Sequence, residues 1–137
     1  MEILAVKDLS FSYPGCAQRA VDGVSFVVND GDFIALCGAT GCGKSTLLRL
    51  LKPEIAPLGE KYGSIDVCGT AQEKLSPEAS ARTVGFVMQR PEQQLVTDKV
   101  WHELAFGLEN LGVKSGEIRR RVAEMSEYFG ISGWFDR

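Results

Sequence analysis

What the sequence lacks narrows its function before any motif is read. No apolar stretch among the 137 residues approaches the ~20 that a membrane-spanning helix needs. No secretory leader precedes the opening MEILAVKDLSF, which already reads as a strand and implies an intact natural N-terminus. There is no excess of positive charge: the formal net charge is −3, so bulk electrostatics give no sign of affinity for nucleic acid or membrane. Histidine occurs once, at His102, inside a predicted helix, where it reads as a surface residue and not as a catalytic base. The four cysteines, Cys16, Cys37, Cys42 and Cys68, are spaced by 21, 5 and 26 residues, which fits no zinc pattern. Cys37 falls in a predicted buried strand and Cys42 in a glycine-rich loop, so a disulfide framework is not expected and a reducing, cytoplasmic setting follows. Cys16, Cys37 and Cys68 read as small buried or neutral residues. Internal repeats and low-complexity segments are missing too. What remains is an ordinary soluble composition, 45% hydrophobic and 24% charged, on a chain long enough for one domain with a core.

The organising stretch is GATGCGKST, Gly38 to Thr46, which satisfies the phosphate-loop pattern of Gly, four residues, then Gly-Lys-Ser. The apolar run Phe33–Cys37 before it predicts a strand, and LLRLL from Leu47 predicts a helix. Strand, glycine-rich turn and helix are what the mechanism needs. Gly38, Gly41 and Gly43 let the backbone take positive φ and approach an anion closely. With Ala39, Thr40 and Cys42 they form a turn whose amides, together with the helix start, face a phosphate. Lys44 is placed for the β- and γ-phosphates of a nucleotide and Ser45 for Mg²⁺, while Thr46 adds an amide and a hydroxyl near the phosphates. Cys42, among loop amides and two residues from Lys44, sits where a thiolate is stabilised.

Around this loop, Ile3–Lys7 and Val24–Val28 read as strands, with a turn signal at Tyr13-Pro14-Gly15 and a hairpin turn at Asn29–Asp32. An antiparallel β layer therefore precedes the phosphate loop, unlike the small nucleotide kinases, whose loop lies near the N-terminus. Pro53 ends the loop helix. Gly63–Gly69 reads as a strand through Ile65 and Val67, and Ser76-Pro77-Glu78 as a capped helix start. Val84–Met88 (VGFVM) reads as a buried strand of a parallel sheet. Two helices follow: Asp98 as cap with Val100, Leu104, Leu108 and Leu111 as stripe, stopped by Gly112; then Ser115 as cap with Ile118, Val122, Met125 and Phe129, stopped by Gly130. Arg119, Arg120 and Arg121 read as a solvated face. Trp134 and Phe135 read as exposed, just before the chain ends at Arg137 without a stop signal.

A Tyr ahead of the hairpin, the phosphate loop, and a Gln closing a strand about 45 residues later together resemble an ABC-type ATPase. The run from Met88 to Leu95 (MQRPEQQL), followed by VWHELAFGLEN from Val100, resembles more closely the ATPase subunits of energy-coupling-factor transporters, the prokaryotic cobalt and vitamin importers. The resemblance covers the whole chain. It implies an α/β fold, a P-loop NTPase core (RecA-like mixed sheet) with an N-terminal antiparallel β layer and the start of a helical subdomain, truncated before the signature motif. The division would fall at 1–90 for the core with its β layer and 91–137 for the helical part. It further implies that Tyr13 stacks on adenine, that Gln89 completes the Mg²⁺ shell and senses the γ-phosphate, and that Leu95 and Val96 dock on a membrane partner. The implied cofactors are ATP and Mg²⁺. The implied partners are a second ATPase subunit (homo- or heterodimer), an integral membrane coupling subunit and a substrate-binding membrane subunit, with no nucleic acid. The implied place is the cytoplasmic face of the cell membrane. The Leu-Ser-Gly-Gly-Gln signature, the strand ending in Asp-Glu and the switch histidine are not in the sequence. Glu92 and Glu103, in loop and helix, do not replace the missing carboxylate. In such a fold two strands of the C-terminal half lie between those ending at Cys37 and Met88, so this chain alone should leave both with unpaired edges. Two other readings stand beside the transporter ATPase: a remnant that binds nucleotide or a partner without turnover, and a small-molecule P-loop kinase.

Overall fold

The computed structural model describes residues 1–135; the chain end at Arg137 lies outside them. The chain forms two compact units, Met1–Val84 and Gly85–Arg137.

The first unit is built on one antiparallel sheet in the order β2-β1-β3-β4, with β1 at Glu2–Ser12, β2 at Val21–Asn29, β3 at Glu60–Val67 and β4 at Thr70–Ala71. The central β1 pairs with β2 on one side and β3 on the other, with a register shift on both sides between Val6 and Ser10. Asp8 takes φ 48° there. A regular strand would alternate faces every residue; the bulge inserts a step, so Val6, Leu9 and Phe11 all reach the core. β1 is longer than the Ile3–Lys7 expected, because the chain turns only after Ser12, where the Cys16 amide donates to the Tyr13 carbonyl. Helix α1, Lys44–Leu50, lays Leu47 and Leu50 onto this sheet beside Val21, Ile65 and Val67. Each such buried leucine contributes roughly 1.5–3 kcal/mol, which is what anchors the helix behind the glycine-rich loop.

The far end of α1 is satisfied by side chains. Gln72, 4% exposed, donates from Nε2 to the Leu50 carbonyl at 2.9 Å, meeting an acceptor that a helix end leaves without an intrahelical partner. Lys52 donates from Nζ to the carbonyls of Val84 (2.8 Å) and Ser80 (3.1 Å) and lies 3.5 Å from Glu54 Oε2. These carbonyls close helix α2, Pro77–Thr83, whose start follows the sequence reading: Ser76 Oγ accepts from the Ala79 amide and Pro77 takes the first turn. A cation at a helix C-terminus is favoured by the dipole, and losing it strands buried acceptors. Lys52→Met should therefore destabilise the first unit by about 2 kcal/mol, read by urea unfolding.

Four sequence expectations fail here. Phe33–Cys37 and Val84–Met88 form no strand, and every paired strand among the described residues is antiparallel. Phe33 is 96% exposed and Val87 75%, and Cys37 is exposed along with the other three cysteines, contrary to the buried reading. The turn at Asn29–Asp32 forms, with Asn29 N–H donating to Asp32 Oδ2 and Asp32 N–H to the Asn29 carbonyl, yet no hairpin follows. An apolar run reports what its side chains require; a strand also needs a backbone neighbour. An apolar groove of about 410 Å³ between β2, α1 and residues 32–36 is lined by Leu4, Phe26, Ile34, Leu36, Leu48 and Leu51.

The second unit is a helix pair, α3 at Val100–Asn110 and α4 at Ser115–Phe129. Ala105, Ile118 and Val122 are buried, with Trp101, Leu104, Leu108, Val113 and Phe135 packed on them. Met125 and Phe129 are 51% and 63% exposed, and Ser126 takes the buried place expected of them. Phe135 is half-buried, while Trp134 is exposed as expected. Gly130 closes α4 in the left-handed conformation, and Arg120 and Arg121 pair with Glu117 on the solvated face. Neither expected cap forms: the caps are Lys99 and Lys114, without side-chain bonds. Glu103 instead ties down the loop before α3, its Oε2 accepting from the amides of Thr97 (2.8 Å) and Val96 (3.0 Å). Those two amides, Thr97 first, hold the Glu103 carboxyl below the usual carboxylate range against a smaller effect of burial. A depressed folded pKa gives stability that is present above the unfolded value and lost as pH falls through the folded one. The stability advantage of the native chain over Glu103→Gln should therefore shrink as pH falls below the ordinary glutamate value of about 4.3, followed by circular dichroism melts.

Candidate nucleotide-binding site

The glycine-rich loop is held from behind by the start of β2. Gly43 caps α1 at φ 94°, and a Cβ there would lie 2.1 Å from the Ala20 carbonyl oxygen. Gly41 is also left-handed, at φ 84°, but its missing Cβ faces open space. The first intrahelical bond runs from the Leu47 amide to the Gly43 carbonyl at 2.8 Å, and the Cys42 amide closes a turn onto Ala39 at 3.3 Å. Lys44 folds back over this turn. Its Nζ donates to the carbonyls of Gly38 and Ala39, both at 2.7 Å, and lies 3.6 Å from Cys42 Sγ. Both acceptors are neutral, and a phosphate oxygen would form a stronger, charge-assisted bond with the same ammonium. The loop thus carries its cation at its own mouth, held by partners that an anion can displace.

Ser45 is exposed, whereas Thr46 is buried. The Thr46 hydroxyl lies 3.0 Å from the Tyr13 hydroxyl, so it is engaged with Tyr13 instead of pointing toward a phosphate. Tyr13 packs edge-on against Phe11, ring centroids 5.0 Å apart, and keeps 37% of its surface exposed. The structure thus joins Tyr13 to the loop through Thr46, a link with no signature in the sequence. Gln89 lies in the second unit and is exposed. His102 is exposed as well, 3.9 Å from Asp98.

Among the described residues there is no group of three or more His, Cys, Asp or Glu side chains that could hold a metal. The expected Mg²⁺ ligands, the Ser45 hydroxyl and the Gln89 amide, are neutral oxygens. They suit an ion that brings most of its coordination from nucleotide phosphates and water. Within the first unit, the glycine-rich loop with Lys44 and the exposed Ser45 hydroxyl has the chemistry to take a phosphate accompanied by Mg²⁺.

Cys42 is exposed with an ammonium beside it. It should react with maleimide faster than Cys37 or Cys68, and Mg-ATP should protect it. Peptide mapping after brief labelling decides; equal labelling with and without nucleotide rules the protection out.

A glycine-rich loop opening a sheet-packed helix, with its lysine over the mouth, defines the P-loop nucleotide-binding class. The chain belongs to the ABC transporter family, whose model matches residues 21–137. It is 39% identical over 132 residues to the cobalt import ATP-binding protein CbiO of Syntrophus aciditrophicus, covering 96% of this chain and 46% of that protein. It is 38% identical over 136 residues to the energy-coupling factor transporter ATP-binding protein EcfA1 of Lacticaseibacillus paracasei, covering 98% and 48%. The structure of CbiO1 from Clostridium perfringens, described as part of the ABC transporter complex CbiONQ, superposes with a TM-score of 0.79 at 27% identity. The match covers 99% of this chain and 53% of that one. The chain thus spans about half the length of these relatives, and 23% of a longer ABC transporter relative from Bacillus anthracis that is 43% identical over 126 residues. The α/β fold and the resemblance to energy-coupling-factor ATPases are borne out. No described helix is long and apolar enough to cross a membrane.

Proposed function

We propose that this chain is the nucleotide-binding N-terminal part of the ATP-hydrolysing subunit of an energy-coupling-factor importer for a vitamin or a metal ion. The observation that carries the reading is the loop itself: Lys44 lies over the Gly38 and Ala39 carbonyls, and Gly43 sits where no side chain fits. Catalysis would rest on loop amides, Lys44 and Mg²⁺ neutralising the γ-phosphate charge, with Tyr13 stacking on the base and Gln89 completing the metal shell. The names of the CbiO and EcfA1 relatives support the importer class.

The subunit would work as a dimer on the cytoplasmic face of the membrane, bound to an integral coupling subunit that acts with a substrate-binding one. Leu95 and Val96, 65% and 64% exposed, are suited to that docking. In cells expressing the complete transporter, the double variant Leu95→Asp, Val96→Asp should leave the membrane fraction yet keep ATP binding. Retention at the membrane would contradict the docking assignment.

A further inference from the structure

The segment that leads to Gln89 is held by a side chain instead of a strand. Gln94 Oε1 accepts from the Met88 amide at 2.7 Å, and its Nε2 donates to the Phe86 carbonyl at 3.1 Å. One planar amide therefore brackets Val87 on both sides. Its acceptor and donor meet the amide and carbonyl of alternate residues, which is how a neighbouring strand pairs with an extended chain. The sequence brings Gln94 back to this position through Pro91, which starts the single 3-10 turn Pro91–Gln94. That turn is tied by the Gln93 amide to the Arg90 carbonyl at 3.0 Å. Gln94 is half-buried and spends both ends of its side-chain amide on this bracket. Met88, whose amide it holds, is the residue before Gln89.

We propose that Gln94 is the positioning residue of Gln89: its side-chain amide fixes the backbone at Phe86 and Met88 and so sets the direction in which the Gln89 side chain leaves the chain. The inference rests on the reading of Gln89 as a Mg²⁺ and γ-phosphate ligand. Gln94 touches neither ion nor nucleotide in this role. It acts as an outer partner that orients a ligand, and removing such partners typically costs 10- to 100-fold in metal affinity or activity. Loss of the donor alone, by Gln94→Glu, keeps the acceptor for the Met88 amide and sets a carboxylate oxygen against the Phe86 carbonyl.

The test uses the product of the complete reading frame, titrated with a fluorescent ATP analogue in EDTA and then with Mg²⁺. Gln94→Met should leave affinity in EDTA within about two-fold while raising the Mg²⁺ concentration for half-maximal effect about ten-fold. Gln94→Glu should fall between Gln94→Met and the native protein. Gln89→Ala should show the same Mg²⁺ defect, and Gln94→Met placed on top of it should add nothing, because residues acting through one group are not additive. Hydrogen exchange should speed up at the Met88 amide in Gln94→Met. A normal Mg²⁺ response in Gln94→Met beside an impaired Gln89→Ala overturns the role of Gln94 alone. So does a lowered melting temperature with an unchanged Mg²⁺ response, or a defect that adds to that of Gln89→Ala. A normal response in Gln89→Ala removes the Gln89 reading, and the present inference with it.

Discussion

Lys44→Ala, in the product of the complete reading frame, should lower ATP turnover by about 100- to 1,000-fold. The loop's nine residues contain one cation, and its Nζ already lies at the loop mouth, 2.7 Å from two backbone carbonyls. With phosphate present, the ammonium exchanges neutral acceptors for charged ones, and the gain grows as charge develops on the transferred group. The loop itself holds no second cation that could replace it. Binding should weaken less than turnover, because loop amides and Mg²⁺ still hold the ground-state phosphates. Steady-state phosphate release across an ATP titration separates the two effects. Near-normal turnover in Lys44→Ala would remove the phosphate-loop assignment.

Gly43→Ala should be as damaging, for a steric reason that does not involve charge. An alanine at φ 94° is strained by about 1–3 kcal/mol wherever it occurs. Here its methyl would also sit 2.1 Å from the Ala20 carbonyl oxygen, a backbone atom of the strand start that cannot rotate aside. Either β2 moves off the loop or the loop opens. A cost above about 3 kcal/mol is expected, lowering the melting temperature by more than about 10 °C. Gly41→Ala is the control. Its φ of 84° imposes similar strain, but a Cβ meets nothing within 4 Å, so the loss should be only that strain, about 1–3 kcal/mol. Equal melting temperatures for the two variants would contradict the close approach of Ala20 to the loop.

The contrast between these two glycines shows where sequence reading stops. The spacing GATGCGKST marks all three glycines as loop formers, yet only the structure tells that Gly43 abuts Ala20. The Ser76 cap and the Gly130 stop were legible because each depends on a few adjacent residues. Asp98 and Ser115 had the same local chemistry but lost the capping positions to Lys99 and Lys114, and Glu103 reached the loop before α3 from within the helix. In α4 the stripe was right at Ile118 and Val122 and wrong at Met125 and Phe129. The contact with α3 follows steps of four to Ser126, so the residues on either side of it stay exposed. Phe33–Cys37 and Val84–Met88 were legible as apolar, but their pairing depends on neighbours that no local pattern encodes. Tyr13 with Thr46, and Gln94 with Phe86 and Met88, are long-range or bracketing bonds of polar side chains, which leave no periodicity to read.

The central claim, that Gly38–Thr46 is an ATP site, is tested most directly by equilibrium dialysis of radiolabelled ATP against the product of the complete reading frame, with Mg²⁺ and with EDTA. The account predicts one saturable site per chain, tighter with Mg²⁺, and weakened at least about ten-fold by Gly43→Ala, whose substitution adds no charge and removes none. Saturable binding that is indifferent to Gly43→Ala, or no saturable binding of ATP at all, would contradict it.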